Sequence, residues 1–177
     1  MLNTIKSSLR FTGSVIRKYS LIKSKENSIE DILNYINYND VFSSSGQPTK
    51  AQFTLIKEAG YGAVINLAPY DFIENPLKGE ADIVTGLGME YTHIPVHMFN
   101  PTKEDFDKFV STMQAASASG KKVWVHCAIN MRGSAFSYRY RCSVLGEDKE
   151  KAIWDLREIW EPFGTFRKFT FDDSTAA

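Results

Sequence analysis

The chain has 177 residues, of which 43% are hydrophobic and 24% are charged, and its basic and acidic side chains are equal in number. This length and apolar content suit one ordinary domain with a short extension, and no apolar run is long enough to span a bilayer. Two cysteines without a paired spacing do not indicate a disulfide scaffold, so a reducing compartment is expected.

The first 25 residues differ in charge from the rest of the chain. They carry six basic and no acidic side chains, which leaves 15 basic against 21 acidic residues in 26–177. That acidic balance excludes a nucleic-acid-binding domain by charge. A basic, acid-free amphipathic segment is typical of a mitochondrial transit peptide, and a disordered or membrane-surface tail is the alternative. We therefore divide the chain into a leader, 1–27, and a domain, 28–177, which is mitochondrial if the leader is a transit peptide and otherwise cytoplasmic.

Helices and strands alternate along the predicted domain. Ser28 is expected to begin the first helix, and Thr49 with Gln52 forms a capping box that opens the second. Thr102 and Asp148 are expected to cap two later helices. After Pro162 the chain is aromatic and then polar, without a clear period. The predicted helices are 28–36, 49–60, 81–85, 102–120, 132–146 and 148–161, and the predicted strands are 41–44, 62–67, 91–96 and 122–126.

This alternation predicts an α/β fold of three layers, in which helices flank a mostly parallel central sheet of four to five strands. Ligands in such folds bind at the carboxyl ends of the strands. Cys127 directly follows a predicted strand. The segments after Leu67 and Val96 also follow predicted strands, so they begin at the same carboxyl edge of the sheet. We expect these three segments to form the walls of one pocket.

The segment from Cys127 to Ser134 combines three chemical features. Cys127 stands between a strand and a helix, where unpaired backbone N–H groups attract negative charge. The same field favours thiolate over thiol, so the Cys127 sulfur is expected to be a nucleophile. Arg132 adds a planar fork of donors suited to an oxyanion. The expected anion-binding loop consists of Ala128, Ile129, Asn130, Met131 and Gly133.

This loop resembles the signature loop of the protein tyrosine phosphatase and dual-specificity phosphatase superfamily, in which His-Cys opens a phosphate loop that ends in Arg. The chain is more closely similar to the beta-lactamase-hydrolase-like, phosphatase-like domain family, over about residues 28–170. The motifs that carry the resemblance are Ser45-Gly46-Gln47-Pro48-Thr49, Val64-Ile65-Asn66-Leu67, His93-Ile94-Pro95-Val96, and His126-Cys127 followed by Asn130, Arg132 and Ser134-Ala135-Phe136.

The resemblance implies a cysteine-dependent hydrolase of phosphomonoesters that works through a phosphocysteine intermediate. Phosphatases of this superfamily protonate the leaving alcohol with an Asp that lies about thirty residues before the cysteine. The corresponding segment here has no carboxylate, and His97 is its only titratable group. We therefore predict His97 as the general acid, with Asp71 and Glu74 as alternatives. Asp71 is also a candidate substrate-binding residue.

Three further residues receive roles from their positions. Ser134 lies where the superfamily carries a hydroxyl, and it is expected either to stabilise the departing thiolate or to satisfy backbone donors in the first helical turn. Gln47 belongs by resemblance to the rim of the pocket. His126 should point to the opposite strand face from Cys127 and position the loop by hydrogen bonding, and Asn130 should brace the loop through its amide or occupy a left-handed backbone conformation.

Two other functions remain open from the sequence. Four residues separate Cys127 from Arg132, whereas the general phosphatase pattern has five. Rhodanese-type sulfurtransferases use the shorter spacing, so Cys127 carrying a persulfide is one alternative, and a non-catalytic anion-binding module is another. The substrate is accordingly a phosphorylated or sulfur-bearing anion. We expect no cofactor and no metal, because His93 and His97 are too far apart on a strand to share a zinc ion. The oligomeric state is not indicated.

Overall fold

The structure is a computed structural model that describes residues 27–69 and 77–171, together with Thr12, Gly13 and Ile16. Apart from Asn27 and these three residues, the predicted leader lies outside the described part, and so do Asp71 and Glu74. Five strands form one sheet in the order β1-β2-β5-β3-β4. β1 is antiparallel to β2, and the other pairs are parallel. The predicted α/β class and mostly parallel sheet are confirmed.

The described elements follow the predicted alternation. The strands are β1 (Ile36–Asn37), β2 (Phe42–Ser45), β3 (Tyr61–Asn66), β4 (Glu90–His93) and β5 (Lys122–His126). The helices are α1 (Lys50–Glu58), α2 (Glu80–Gly86), α3 (Lys103–Ala118), α4 (Met131–Ser143), α5 (Lys149–Ile159) and α6 (Gly164–Phe171), preceded by a 3-10 turn at Ile29–Asp31. None of these helices is long and apolar enough to cross a membrane.

Each face of the sheet is covered by its own set of helices. Residues alternate between the faces along a strand, so Trp124 packs with α1 and α2 while its neighbours Val123 and Val125 pack on the other side. The larger core, on that other side, joins the sheet to α3, α4, α5 and α6 through Phe109, Phe136 and other buried side chains. The sheet is therefore the middle of three layers, as predicted.

The first predicted helix, 28–36, was wrong. Ser28 does cap a turn, since its side chain accepts from the Glu30 N–H, but the turn ends at Asp31. Asn34 has a left-handed backbone with φ of 54°, and the Leu33 carbonyl accepts from the Gly46 N–H at 2.6 Å. Bonds to distant parts of the chain thus replace the local bonds that a helix would need.

The C-terminal segment also differs from its prediction, because a helix, α6, occupies 164–171. Its buried residues, Phe166, Phe169 and Thr170, do follow helical spacing. Phe163 is 62% exposed, and because this aromatic residue lies next to the helix but outside the core, the helical spacing of the buried residues is hard to recognise in the sequence.

The strand predicted for 91–96 is shorter in the structure, 90–93. The N–H groups of Ile94 and Val96 nevertheless donate to the carbonyls of Asn66, at the end of β3, and of Leu67, the residue after it.

Candidate active site

The candidate phosphate loop joins the central strand β5 to α4. β5 ends at His126 and α4 begins at Met131, so Cys127 stands at the carboxyl edge of the sheet. The first helical bond runs from the Ser134 N–H to the Asn130 carbonyl at 3.0 Å. The N–H groups of the first helical turn precede that bond and point toward the helix N-terminus. The loop therefore places a thiol beside the positive end of a helix.

Cys127 and Arg132, at the two ends of this loop, are both buried. Cys127 is 1% exposed and contacts the larger core, and Arg132, in the first turn of α4, is 3% exposed. Charges interact more strongly in such a dry environment than in water. The sequence-predicted nucleophile and anion-binding guanidinium are thus five residues apart on the same strand-to-helix connection.

A reciprocal pair of amide side chains holds the loop in place. Asn34 Nδ2 donates to the Ile129 carbonyl at 2.8 Å, and Asn130 Nδ2 donates to the Asn34 carbonyl at 2.7 Å. Both residues have left-handed backbones, with φ of 54° and 68°, which Asn tolerates better than most residues. Asn130 therefore has both features considered for it, while Asn34 was not identified from the sequence because the segment had been predicted as helix.

The segment after β2 supports the loop from the other side. The Gln47 N–H donates to the Ala128 carbonyl at 3.1 Å. A Cβ atom on Gly46 would lie 3.1 Å from the carbonyl oxygens of both Ala128 and Leu33, which is closer than side chains normally approach. Only glycine lets these three backbone segments meet without displacement. The direct contacts of Gly46 and Gln47 with the loop are thus made by their backbones.

The first turn of α4 packs tightly against Asn130. A Cβ atom on Gly133 would overlap Asn130 Oδ1. Ser134 is buried, and its hydroxyl donates to the Met131 carbonyl at 3.1 Å. In this bond the hydroxyl satisfies a backbone acceptor and not the backbone donor considered for Ser134, and donation to the Cys127 sulfur stays a prediction.

Comparison with known proteins identifies the family to which this loop belongs. The model of the family described as DSP-PTPase phosphatase fused to NAD+ kinase matches residues 13–169, most of the chain. The chain belongs to this DSP-PTPase phosphatase family. It is a cysteine-based phosphatase, and the phosphatase match gives no support to the sulfurtransferase or the non-catalytic alternative. No curated protein is significantly similar to it.

Solved structures of phosphatases resemble this phosphatase in fold. A putative phosphatase (DUF442) from Shewanella putrefaciens CN-32 is 30% identical, with a TM-score of 0.70 over 80% of this chain and 91% of its own. The core catalytic domain of the PP-IP phosphatase SIW14 from S. cerevisiae is 12% identical, with a TM-score of 0.66 over 82% and 89%. TpbA from P. aeruginosa is 19% identical, with a TM-score of 0.58 over 70% and 72%. The last two show the fold alone.

The phosphatase also contains a buried carboxylate that sequence reasoning did not identify. Glu80, the first residue of α2, is 2% exposed. Its side chain accepts from Asn66 Nδ2 at 2.8 Å and from the Tyr91 hydroxyl at 2.9 Å. Gln47 Nε2 also donates to it at 2.5 Å, and His126 Nε2 lies 3.1 Å from its Oε1. In the sequence this glutamate looks like an ordinary first-turn helix charge, and no other signal marks it.

The surroundings of Glu80 keep it ionised. Burial alone would raise the pKa of its carboxyl, but the charge and hydrogen bonding of His126, with the bonds from Gln47 and Tyr91, lower the pKa to about 2. A group that remains ionised and buried at neutral pH cannot deliver a proton to a leaving group. His126 itself is fully buried and contacts Phe53 of α1, on the opposite face from Cys127, as predicted.

The side chains of His97 and Gln47, two further predicted site residues, make their hydrogen bonds outside the phosphate loop. His97 is exposed in the connection after β4, and its Nδ1 accepts from the Phe99 N–H at 3.2 Å. Gln47 turns its side chain toward Glu80. The general-acid assignment to His97, Asp71 or Glu74 stays a prediction. Within residues 27–69 and 77–171, no group of three or more His, Cys, Asp or Glu side chains could hold a metal ion.

The two cysteines are expected to react at different rates. Burial raises the pKa of the Cys142 thiol, against the smaller effect of its hydrogen bond with Tyr138, so little Cys142 thiolate exists at neutral pH. Cys127 lies beside the N-terminus of α4, where first-turn backbone N–H groups attract anionic reagents such as iodoacetate. We expect iodoacetate to alkylate Cys127 at least about tenfold faster than Cys142 at neutral pH, as measured by peptide mass analysis over time.

Alkylation of the variants Cys127→Ser and Cys142→Ser shows which thiol gives each of the two rates, because each variant retains only one cysteine. Inorganic phosphate should slow the reaction of Cys127 and leave that of Cys142 unchanged, because only the former lies in the proposed anion site. Equal rates, or protection of neither thiol by phosphate, would argue against an activated cysteine.

Proposed function

We propose that this phosphatase hydrolyses phosphomonoesters by way of a phosphocysteine on Cys127. The observation that carries the proposal is the position of Cys127, directly after the central strand and four residues before the start of α4, with Arg132 in the first turn of that helix. Family membership supports phosphate as the transferred group. The substrate is a phosphorylated anion.

The first step is attack of the Cys127 thiolate on phosphorus. The S–P bond forms while the bond from phosphorus to the leaving oxygen breaks, and the leaving group departs with that electron pair. Backbone N–H groups of Met131, Arg132 and Gly133 and the Arg132 guanidinium stabilise the charge on the equatorial oxygens. These donors are held by the contacts of Asn34 and Asn130, so they need little reorganisation during the reaction.

The second step regenerates the enzyme. A water molecule attacks the phosphocysteine, the S–P bond breaks, and inorganic phosphate leaves while Cys127 returns as thiolate. The cradle that stabilises the first transition state also faces the second, because both place negative charge on the same three oxygens.

The leaving group limits the substrates that this site favours. The connection after β4, from Ile94 to Pro101, contains His97 and no carboxylate. Phenolates depart with less help from an acid than alkoxides do. We therefore propose aryl phosphates, rather than alkyl phosphates, as the better substrates, with His97 as the candidate acid for both.

A series of aryl phosphates tests the function and this preference together. The rate of phosphate release should fall steeply as the phenol becomes more basic, and the fall should become steeper in His97→Asn if His97 protonates the leaving oxygen. A rapid quench should trap one phosphoryl group on Cys127. If the protein instead transfers sulfur from thiosulfate to cyanide and releases no phosphate, the proposal is wrong.

A further inference from the structure

We propose that Glu80 is a positioning residue for phosphoryl transfer, which fixes the phosphate loop through His126 and Gln47. The inference rests on the proposed function, since it assigns a role within the same site. Glu80 does not touch the loop itself, and it lies on the face of the sheet opposite the Cys127 side chain. Its effect would therefore be transmitted through the two residues that it contacts on either side of the loop.

The carboxylate joins four segments that all reach the carboxyl edge of the sheet. Its partners are Gln47 after β2, Asn66 at the end of β3, Tyr91 on β4 and His126 at the end of β5. A surface carboxylate would have water as an alternative partner, but this one is 2% exposed. Replacing one of its oxygens by an amide nitrogen would leave at least one buried donor without an acceptor, which is costly in a dry environment.

Two of these partners lead directly to the reacting groups. His126 directly precedes Cys127 in the chain, so a single peptide bond joins the residue that contacts Glu80 to the nucleophile. Gln47 is connected to the loop by its backbone, which donates to the Ala128 carbonyl at 3.1 Å. The carboxylate thus holds the loop from both sides of Cys127, one residue before it and one residue after it.

A network of this kind should matter more in the transition state than for substrate binding. The charge on the equatorial oxygens is greatest when the phosphoryl group is being transferred, and misplaced donors cost most at that moment. A mutation far from the chemistry that misplaces a group in the site by about 1 Å can lower a rate by about 100-fold. Substrate binding, which needs only a positive cradle, should tolerate the same displacement.

The test compares Glu80→Gln with Glu90→Gln. Glu90 is a matched control because it is a neighbouring carboxylate on β4 whose side chain is 61% exposed and bonded to Lys121. With p-nitrophenyl phosphate, we expect Glu80→Gln to lower kcat by about 10- to 100-fold and to change KM by less than about threefold. Glu90→Gln should change neither constant.

Two inhibitors separate positioning from a loss of folded protein. Vanadate resembles the five-coordinate transition state, so its affinity should fall with kcat in Glu80→Gln, whereas the affinity for inorganic phosphate should change little. A mere decrease in the folded fraction would lower kcat and leave both affinities unchanged. If Glu80→Gln does not fold, Tyr91→Phe removes one partner of the carboxylate and should give the same pattern, with a decrease in kcat of about 3- to 10-fold.

The outcomes are distinct. An unchanged kcat in a folded Glu80→Gln, or in Tyr91→Phe where that variant is used, would overturn the inference while the proposed function stands. Equal weakening of phosphate and vanadate would also overturn it, because the carboxylate would then support binding in general. A wild-type protein that releases no phosphate from any aryl phosphate would overturn the proposed function and this inference with it.

Discussion

Replacing Cys127 by serine is expected to lower kcat for aryl phosphates by at least about 10⁴-fold. A serine hydroxyl at the same position keeps its proton at neutral pH, and the helix N-terminus cannot supply the base that a serine nucleophile needs. Steady-state release of phosphate from p-nitrophenyl phosphate measures the loss. The phosphate-binding backbone should remain intact, because the contacts of Asn34 and Asn130 do not involve the sulfur.

Cys142→Ser is the matched control for this substitution. Cys142 lies near the C-terminal end of α4, away from the loop, and its replacement should leave kcat within about twofold of the wild-type value. The serine variant of Cys127 should still bind inorganic phosphate and vanadate. Retention of more than about a tenth of the wild-type rate in Cys127→Ser would show that another group carries the chemistry.

Arg132→Lys is expected to have the second-largest effect, a decrease in kcat of about 10²- to 10³-fold. Lysine retains the positive charge but not the planar fork that binds two oxygens at once. The buried position of Arg132 increases the effect, since a shorter and more strongly hydrated ammonium must be accommodated where the side chain is only 3% exposed. Initial rates and vanadate inhibition should fall together.

Arg157→Lys provides the comparison on the surface. Arg157, on α5, pairs with Glu161 one turn later and is 39% exposed, and a lysine can form the same pair. Its kcat should not change. If Arg132→Lys were as active as Arg157→Lys, the bidentate contact proposed for the transferring phosphoryl group would be absent.

Local signals predicted the elements that deliver the nucleophile. The strand predicted for 122–126 has the same bounds in the structure, because its apolar run is bounded by two lysines and by the loop. Thr49 and Gln52 form the predicted capping box, and Thr102 caps α3 as expected. Such signals depend on residues within one turn of each other, so a sequence contains them in full.

The support of the loop could not be predicted in the same way. Asn34 meets Asn130 across 96 residues of sequence, and Glu80 gathers its partners from four separate segments. These contacts depend on the order of strands in the sheet, which local patterns do not specify. A poor helix former such as Asn34 inside a predicted helix was the one available signal. The buried glutamate had none, since its environment exists only in the folded chain.

The link between Asn34 and Asn130 has a consequence for when the enzyme becomes active. It spans more than half of the chain, so the oxyanion cradle cannot be completed until the first strand pair has docked beside β5. Contacts of such long sequence separation form late, because their chain-closure entropy must first be offset by other contacts. A nascent or partly folded chain would therefore expose an ordinary thiol, and the reactive sulfur would arise only with the finished domain.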